Sequence, residues 1–188
     1  MGGGDGASCR HTKRRIRRER TKEPKEKERS TRSRNNRKIK IVTSVYMILG
    51  SALMASSSAS TPTIFEEFCQ LILSLDESIR FVGIATITGA ILATKYRANL
   101  KPLLTQEETA SSIKYSVWRV GSRRVLEEKL GKTLYVVATY EKLKRATIPV
   151  GQDGQSVLII SFDIESDAES IIRNKILTII KPYGTISH

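Results

Sequence analysis

The chain has 188 residues and a formal net charge of +13, a length that suits one domain with additional segments. Its two cysteines, Cys9 and Cys69, argue against a secreted fold held together by disulfides. Its two histidines, His11 and His188, lie near the termini, so a zinc site has almost no ligands available.

The positive charge is concentrated at the N-terminus. Residues 1–40 contain 16 Lys and Arg against 5 Asp and Glu, whereas residues 41–188 contain 16 against 14. Before Ile39 the segment has one notable aliphatic residue, Ile16, so we expect residues 1–40 to form a disordered basic leader. Because the leader has no aromatic side chain to stack on a base, it would bind nucleic acid only weakly and without sequence specificity.

Residues 41–60 form a short apolar and serine-rich segment. Its apolar part, residues 41–54, is shorter than the roughly 20 residues that a membrane-spanning helix needs. A secretory signal would have an apolar region of this length, but not a basic region of forty residues before it. The favoured interpretation is that the start codon is miscalled and that Met54 is the true start. The protein would then be cytoplasmic. A single weak membrane anchor at 41–60 and a working basic arm are the alternatives.

The first predicted elements are a helix and a hairpin. Thr63 and Glu66 have the spacing of a capping box, which predicts a helix from about Thr63. A β-rich run then predicts a hairpin with its turn at Thr88 and Gly89. The two predicted strands are Phe81–Ile87 and Ile91–Arg97.

A second helix and three further strands follow. Thr105 and Glu108 repeat the capping-box spacing, Gly121 is a possible bend, and Gly131 is the expected C-terminal cap. The remaining predicted elements are strands at Thr133–Glu141, Lys144–Val150 and Ser156–Asp163 and a helix at Glu165–Lys181. Residues 61–183 thus predict an α+β domain of order α-β-β-α-β-β-β-α, a five-stranded antiparallel sheet with helices on its faces, followed by a tail at 184–188.

Basic residues and one tryptophan accumulate on the second helix and the hairpin after it. Trp and Arg together are typical of interface hot spots, so the cluster is a candidate partner surface. An ordinary solvated helix face and hairpin end is the plainer interpretation. The candidate residues are Lys114, Trp118, Arg119, Arg123, Arg124, Lys142, Lys144 and Arg145.

The element order, together with the hairpin FVGIATITGAIL, resembles the roadblock/LC7 domain and its profilin-like relatives. The segments IRFVGIATITGAILATKYR and LEEKLGKTLYVVATYEKLKRATIPV are also similar to a family of small archaeal proteins from ammonia-oxidising lineages. The roadblock resemblance implies homodimers or heterodimers built from the second helix and neighbouring strands. It further implies a scaffold that binds small GTPases or motor components without catalysis of its own.

Two other function classes can be weighed against this interpretation. PAS-like sensor domains also have a five-stranded sheet, and that alternative would imply a small ligand in a cavity between sheet and helix. An enzyme is not expected, because the sequence offers no Ser-His-Asp set, no Cys-His pair and no metal cluster. We therefore expect a non-enzymatic interaction domain with no cofactor, whose partner is a second copy of itself or another protein. We expect neither a membrane partner nor nucleic-acid binding beyond the leader.

Overall fold

The computed structural model describes residues 30–45, 47, 61–151 and 154–180, excepting the side chains of residues 61–63. The helices are α1 at residues 30–45, α2 at Thr61–Leu73, α3 at Gln106–Arg123, α4 at Glu127–Leu130, α5 at Ala168–Ile171 and α6 at Leu177–Ile180. The strands are β1 at Ile79–Thr86, β2 at Ile91–Tyr96, β3 at Val136–Thr139, β4 at Leu143–Val150 and β5 at Ser156–Asp163. A 3₁₀ turn, Arg124–Leu126, joins α3 to α4, and a π turn, Ile172–Ile176, joins α5 to α6.

The five strands form one antiparallel sheet in the order β2-β1-β5-β4-β3. β5 lies at its centre, with Ser161 opposite Phe81 of β1 on one side and opposite Arg145 of β4 on the other. All but the last residue of β5 are buried, as expected for a strand covered on both faces. The predicted α+β class, element order and central strand at Ser156–Asp163 are confirmed.

Helices cover both faces of the sheet. One core contains Phe68 and Ile72 of α2, inward residues of the central strands such as Ile160, and the isoleucines of the last helical segment. The second core lies on the other face, where Ile113, Val117 and Val120 of α3 pack on the sheet. The spacing of these inward residues, three or four positions apart, explains why α3 is helical and packs on the sheet, because such residues fall on one side of a helix.

The helix ends follow the predicted signals where side chains are described. The Thr105 hydroxyl accepts from the Glu108 amide at 3.2 Å, and the Glu108 carboxylate accepts from the Thr105 amide at 2.8 Å. Gly131 ends α4 with φ +80°, a conformation that glycine adopts without steric cost. α3 continues through Gly121 and ends at Arg123, where the 3₁₀ turn follows, so Gly121 does not break the helix. α2 begins at Thr61, so Thr63 lies within the helix and not at its predicted cap position. The predicted end of the last helix at Lys181 lies outside the described residues.

Two elements, β3 and the last helix, begin clearly later than predicted. β3 is shorter than the predicted strand at Thr133–Glu141. Tyr140, which follows β3, donates its amide to the Leu143 carbonyl at 2.9 Å and closes the turn. The last helix begins at Ala168, because the Asp167 carboxylate caps the Ser170 amide at 3.0 Å.

Residues 30–45 are helical, where the sequence analysis expected a disordered leader to residue 40 and an apolar segment after it. Residues 30–40 are exposed. Val45 is only 1% exposed and belongs to the core cluster of α2 and the sheet, with Ile41 and Val42 packed against that cluster. Ile41, Val42 and Val45 share one side of a helix, which explains how a short segment can contribute to the core. The predicted start at Met54, residues 1–29 and the tail at 184–188 lie outside the described residues.

An ion-pair network joins β1, β2 and the end of β5. The Asp163 carboxylate accepts from Arg80 at 2.7 Å and from Arg97 at 2.7 Å. These hydrogen bonds, with that from Arg97 the stronger influence, hold the pKa of Asp163 below its ordinary value of 3.8. The network therefore stabilises the fold fully above the ordinary pKa, and its contribution is lost as the pH falls through the lowered pKa.

Asp163→Asn is accordingly expected to lower the free energy of unfolding at pH 7, with the difference from wild type shrinking towards zero below the lowered pKa. Urea unfolding of both proteins between pH 7 and pH 2 measures this convergence. Glu165→Gln, two residues beyond β5, removes one carboxylate outside the network and serves as the control. A gap between wild type and Asp163→Asn that stays constant across the pH range would contradict the prediction.

Cys69 lies on the inner side of α2 and is 0% exposed. Burial raises the pKa of its thiol from 9.0 to about 12, with Lys95 opposing and Glu66 adding to the shift. The thiolate fraction at neutral pH is then far lower than that of a free cysteine, so the thiol is unreactive while it is buried. In a Cys9→Ser chain we expect Ellman's reagent to label Cys69 only as fast as the protein unfolds. Rapid labelling in the absence of denaturant would contradict its position in the core.

Among the described residues, no helix has the length and apolar character needed to cross a lipid bilayer.

Candidate functional site

Two features on the α3 side of the sheet are candidates for function, a cavity and an exposed apolar surface. The floor of the cavity is a row of neighbouring residues across four strands. Tyr96 of β2 lies opposite Phe81 of β1, Phe81 opposite Ser161 of β5, and Ser161 opposite Arg145 of β4. Because Ser161 is small, the row leaves space between the Phe81 ring and the Arg145 side chain.

The walls come from α3, the β2–α3 loop and the β3–β4 turn. Thr109 and Ser112 of α3 face the row, and the Thr109 and Tyr96 hydroxyls are 3.1 Å apart. The cavity measures about 590 Å³, within the range of small-molecule sites. Its apolar lining comes from Phe81, Tyr96, Leu100, Pro102, Leu103, Leu104, Tyr140 and Leu143. We call this space the Arg145 cavity.

Two aromatic rings fix the deep end of this cavity. The Phe81 and Tyr96 ring centroids are 4.7 Å apart and the rings are tilted by 51°. Gly83 allows the Phe81 ring to lie flat along β1, since a Cβ at Gly83 would come within 3.0 Å of the ring. A side chain at position 83 would therefore displace the Phe81 ring from this position.

Arg145 is a buried cation, only 9% exposed. One terminal nitrogen of its guanidinium donates to the Ser112 hydroxyl, whereas its Nε has no hydrogen-bond partner in the described part of the chain. Burial lowers the pKa of Arg145, and the nearby charge of Arg119 lowers it further against the opposing effects of Tyr140 and Tyr96. No described carboxylate pairs with it, although a buried charge ordinarily has a counter-charge.

The second feature is an apolar surface on the outer side of α3 and the segment after it. Trp118 is 71% exposed and Tyr115 is 64% exposed, on the side of α3 opposite its buried residues. Four further large aliphatic side chains are exposed between the end of α3 and the start of β3. We define the outer apolar face as Tyr115, Trp118, Val125, Leu126, Leu130 and Leu134. β3, which follows, is the last strand of the sheet and pairs only with β4 among the described strands.

The predicted partner residues occupy several places. Lys114 and Trp118 lie on the exposed outer side of α3. Arg119 and Arg123 line a small depression between α3 and the strands β3 and β4, and Arg145 lines the same depression from below. The structure therefore brings these three arginines together.

The other three predicted residues lie elsewhere. Arg124 donates to the Gly154 carbonyl at 2.6 Å, which joins the end of α3 to the β4–β5 turn. Lys142 lies in the β3–β4 turn at the mouth of the Arg145 cavity. Lys144 donates to the Ser166 carbonyl at 2.6 Å, and it points to the sheet face opposite Arg145 because successive strand residues alternate.

Sequence reasoning missed the residues that make Arg145 part of a cavity. Ser112, Ser161 and Tyr96 are far apart in sequence and meet only through the sheet register and the position of α3. The helical pattern also predicts that Leu126 and Leu130 continue the core face of α3, and this is wrong, because they are 52% and 78% exposed. α3 ends at Arg123 and a 3₁₀ turn follows, so the helical spacing does not carry through to these two leucines. Among the described residues there is no group of His, Cys, Asp and Glu that could hold a metal ion.

Comparison with known proteins shows which solved structures have a similar fold. The chain matches no family model, and a search of curated proteins finds no relative. Among solved structures, gliding protein MglB from Thermus thermophilus is 14% identical, with 61% of this chain and 82% of that chain covered and a TM-score of 0.50. MglB in a tetrameric arrangement is 14% identical, with 66% and 92% covered and a TM-score of 0.51.

A roadblock/LC7 domain from Streptomyces avermitilis is also similar, at 11% identity, with 59% of this chain and 90% of that chain covered and a TM-score of 0.46. The domain has the roadblock/LC7-like fold that the sequence resemblance implied. Identities this low show the fold alone.

Proposed function

We propose that this chain is a non-enzymatic interaction domain that forms a homodimer through the outer apolar face and the free edge of β3. One observation carries the proposal: the exposed large hydrophobic residues of α3 and its continuation lie in a single run from Tyr115 to Leu134. Exposed apolar surfaces of this kind are typical of protein interfaces, and tryptophan and tyrosine are enriched among their energetic centres.

A second copy of the chain is the occupant that fits this surface best. An apolar face complements itself across a two-fold axis, since it needs no opposing charge. Its border carries both signs, with Glu127 and Glu128 near Arg123 and Lys129, so two copies can form ion pairs in either direction. The tetrameric arrangement named for one of the similar MglB structures also supports self-association.

Molar mass in solution tests the proposal. We expect the full chain to have about twice its 21.0 kDa mass in light scattering after gel filtration. A Tyr115→Ser, Trp118→Ser double variant is expected to elute as a monomer with an unchanged circular dichroism spectrum. Leu103→Ser, which also removes an exposed leucine but lies at the cavity mouth, is the matched control and is expected to remain dimeric.

Two results would count against the homodimer. One is a wild-type chain that stays monomeric up to millimolar concentration. The other is a double variant that dimerises as tightly as wild type, which would place the interface elsewhere.

The location, the protein partner, the relatives and any nucleic-acid binding of this chain are further proposals. We propose a cytoplasmic protein whose dimer scaffolds a small GTPase or another protein partner, as the roadblock resemblance implies, and which belongs with the small proteins of ammonia-oxidising archaea. Binding of nucleic acid would be weak and confined to residues 1–40. A fractionation of source cells that finds the protein in the membrane pellet would instead favour an anchor at residues 41–60.

A further inference from the structure

We propose that the Arg145 cavity is a binding site for a small carboxylic acid with an apolar body, whose carboxylate pairs with the Arg145 guanidinium. The site is independent of the outer apolar face. The outer apolar face lies on the side of α3 turned away from the sheet, whereas the cavity lies between α3 and the sheet.

The first step of the argument is the state of Arg145. Its side chain combines nine-tenths burial, an Nε atom with no partner among the described residues, and a single neutral acceptor at Ser112. Keeping a guanidinium charged in such a place costs free energy unless an anion compensates it. A carboxylate can accept two parallel hydrogen bonds from the planar guanidinium, which is the strongest arrangement available to arginine.

The second step is the charge of the remaining lining. Arg80 also lines the cavity, but its charge is compensated by Asp163 at 2.7 Å. Glu141 and Lys142 are exposed at the mouth and carry opposite charges. Arg145 is thus the one buried cation of the described lining without a counter-charge, and Arg119 in the adjoining depression adds positive charge nearby. A single carboxylate is sufficient to compensate Arg145.

The third step is the shape and polarity of the rest of the cavity. Apart from Arg145, the deep part is lined by the Phe81 and Tyr96 rings and by Leu143. Leu103 and Leu104 of the β2–α3 loop lie at the mouth, where they are 55% and 38% exposed. An apolar ligand body would bury these two leucines as well as itself. The small hydroxyls of Thr109, Ser112 and Ser161 leave room for it without adding charge.

Octanoate is a suitable probe, since it carries one carboxylate on an apolar chain, and 1-octanol is its uncharged counterpart. We expect isothermal titration of the full chain to show octanoate binding, with amide NMR shifts concentrated at Ser112, Ser161 and Leu143. Arg145→Met should weaken octanoate binding by at least about tenfold, as expected for the loss of a charge-assisted pair, and leave the weaker 1-octanol affinity unchanged.

Two further variants make the test specific. Lys114→Met removes the same charge from the outer side of α3 and should bind octanoate as wild type does. Arg145→Lys keeps the charge without the planar donor pair and should bind with intermediate affinity, so it also serves if Arg145→Met fails to fold. The proposal is overturned if octanoate does not bind the full chain, if Arg145→Met binds it as tightly as wild type, or if the NMR shifts lie on the outer apolar face.

Discussion

Val45→Asp is expected to lower the free energy of unfolding by at least about 3 kcal/mol, because it places a carboxylate in an apolar core without a partner. Val45 is 1% exposed within the cluster that contains Phe68 and Ile72. Urea unfolding followed by circular dichroism measures the change. Ile39→Asp is the matched control, since it makes a comparable substitution in the same helix at a side chain that is 62% exposed. We expect that control to change stability by no more than about 0.5 kcal/mol.

A chain that begins at Met54 extends this test to the predicted domain boundary. It lacks Val45 together with Ile41 and Val42, so we expect it to lose roughly 2–3 kcal/mol of stability through reduced apolar burial. If that shorter chain and the Val45→Asp chain are both as stable as wild type, the domain folds independently from residue 61, as the sequence analysis expected. A large loss in both would instead make residues 41–45 part of the folding unit.

Arg145→Met is expected to raise the free energy of unfolding of the ligand-free protein by about 1–3 kcal/mol. Most substitutions of buried residues are destabilising. Here the change replaces a desolvated cation with an apolar side chain of similar length, which removes the free-energy cost of burying an unpaired charge. Such a gain in the free energy of unfolding is common when a residue that serves binding is replaced, because binding residues often reduce stability.

The control for this prediction is Arg123→Met on the neighbouring flank of α3. Arg123 is only partly buried and donates to the Arg119 carbonyl at 2.8 Å, so we expect a change within about 0.5 kcal/mol. Saturating octanoate should reduce or reverse the difference in free energy of unfolding between Arg145→Met and wild type. The reason is that octanoate stabilises the wild-type protein and not Arg145→Met. A destabilised Arg145→Met chain would mean that Arg145 contributes more to packing than its charge costs.

The fold was largely predictable because its elements carry local signals. A helix start is specified by the Thr105–Glu108 pair, a helix end by Gly131 and a buried strand by the continuous apolar run of β5. None of these signals depends on distant residues. The order of strands across the sheet has no such local signal. It rests on pairings such as Ser161 with Phe81, between residues some eighty positions apart in the chain.

The candidate site was harder to predict, for two physical reasons. Lys144 and Arg145 are adjacent and equally charged, yet the alternation of a strand sends one to the Ser166 carbonyl and buries the other beneath α3. A charge cluster in sequence therefore does not specify a cluster on the surface. Residues 41–45 were judged by whether they could cross a membrane, whereas three apolar side chains on one side of a helix are sufficient to contribute to a core.

The central position of β5 has a consequence for synthesis on the ribosome. The two hairpins, β1 with β2 and β3 with β4, pair with each other only through β5, which is the last of the described strands to emerge. Until residues 156–163 leave the exit tunnel, each hairpin exposes an inner edge and the apolar residues that β5 later covers. Nascent chains that stall before that point should therefore be prone to aggregation and to capture by chaperones. Commitment of this protein to its native state is in this sense a late event in translation.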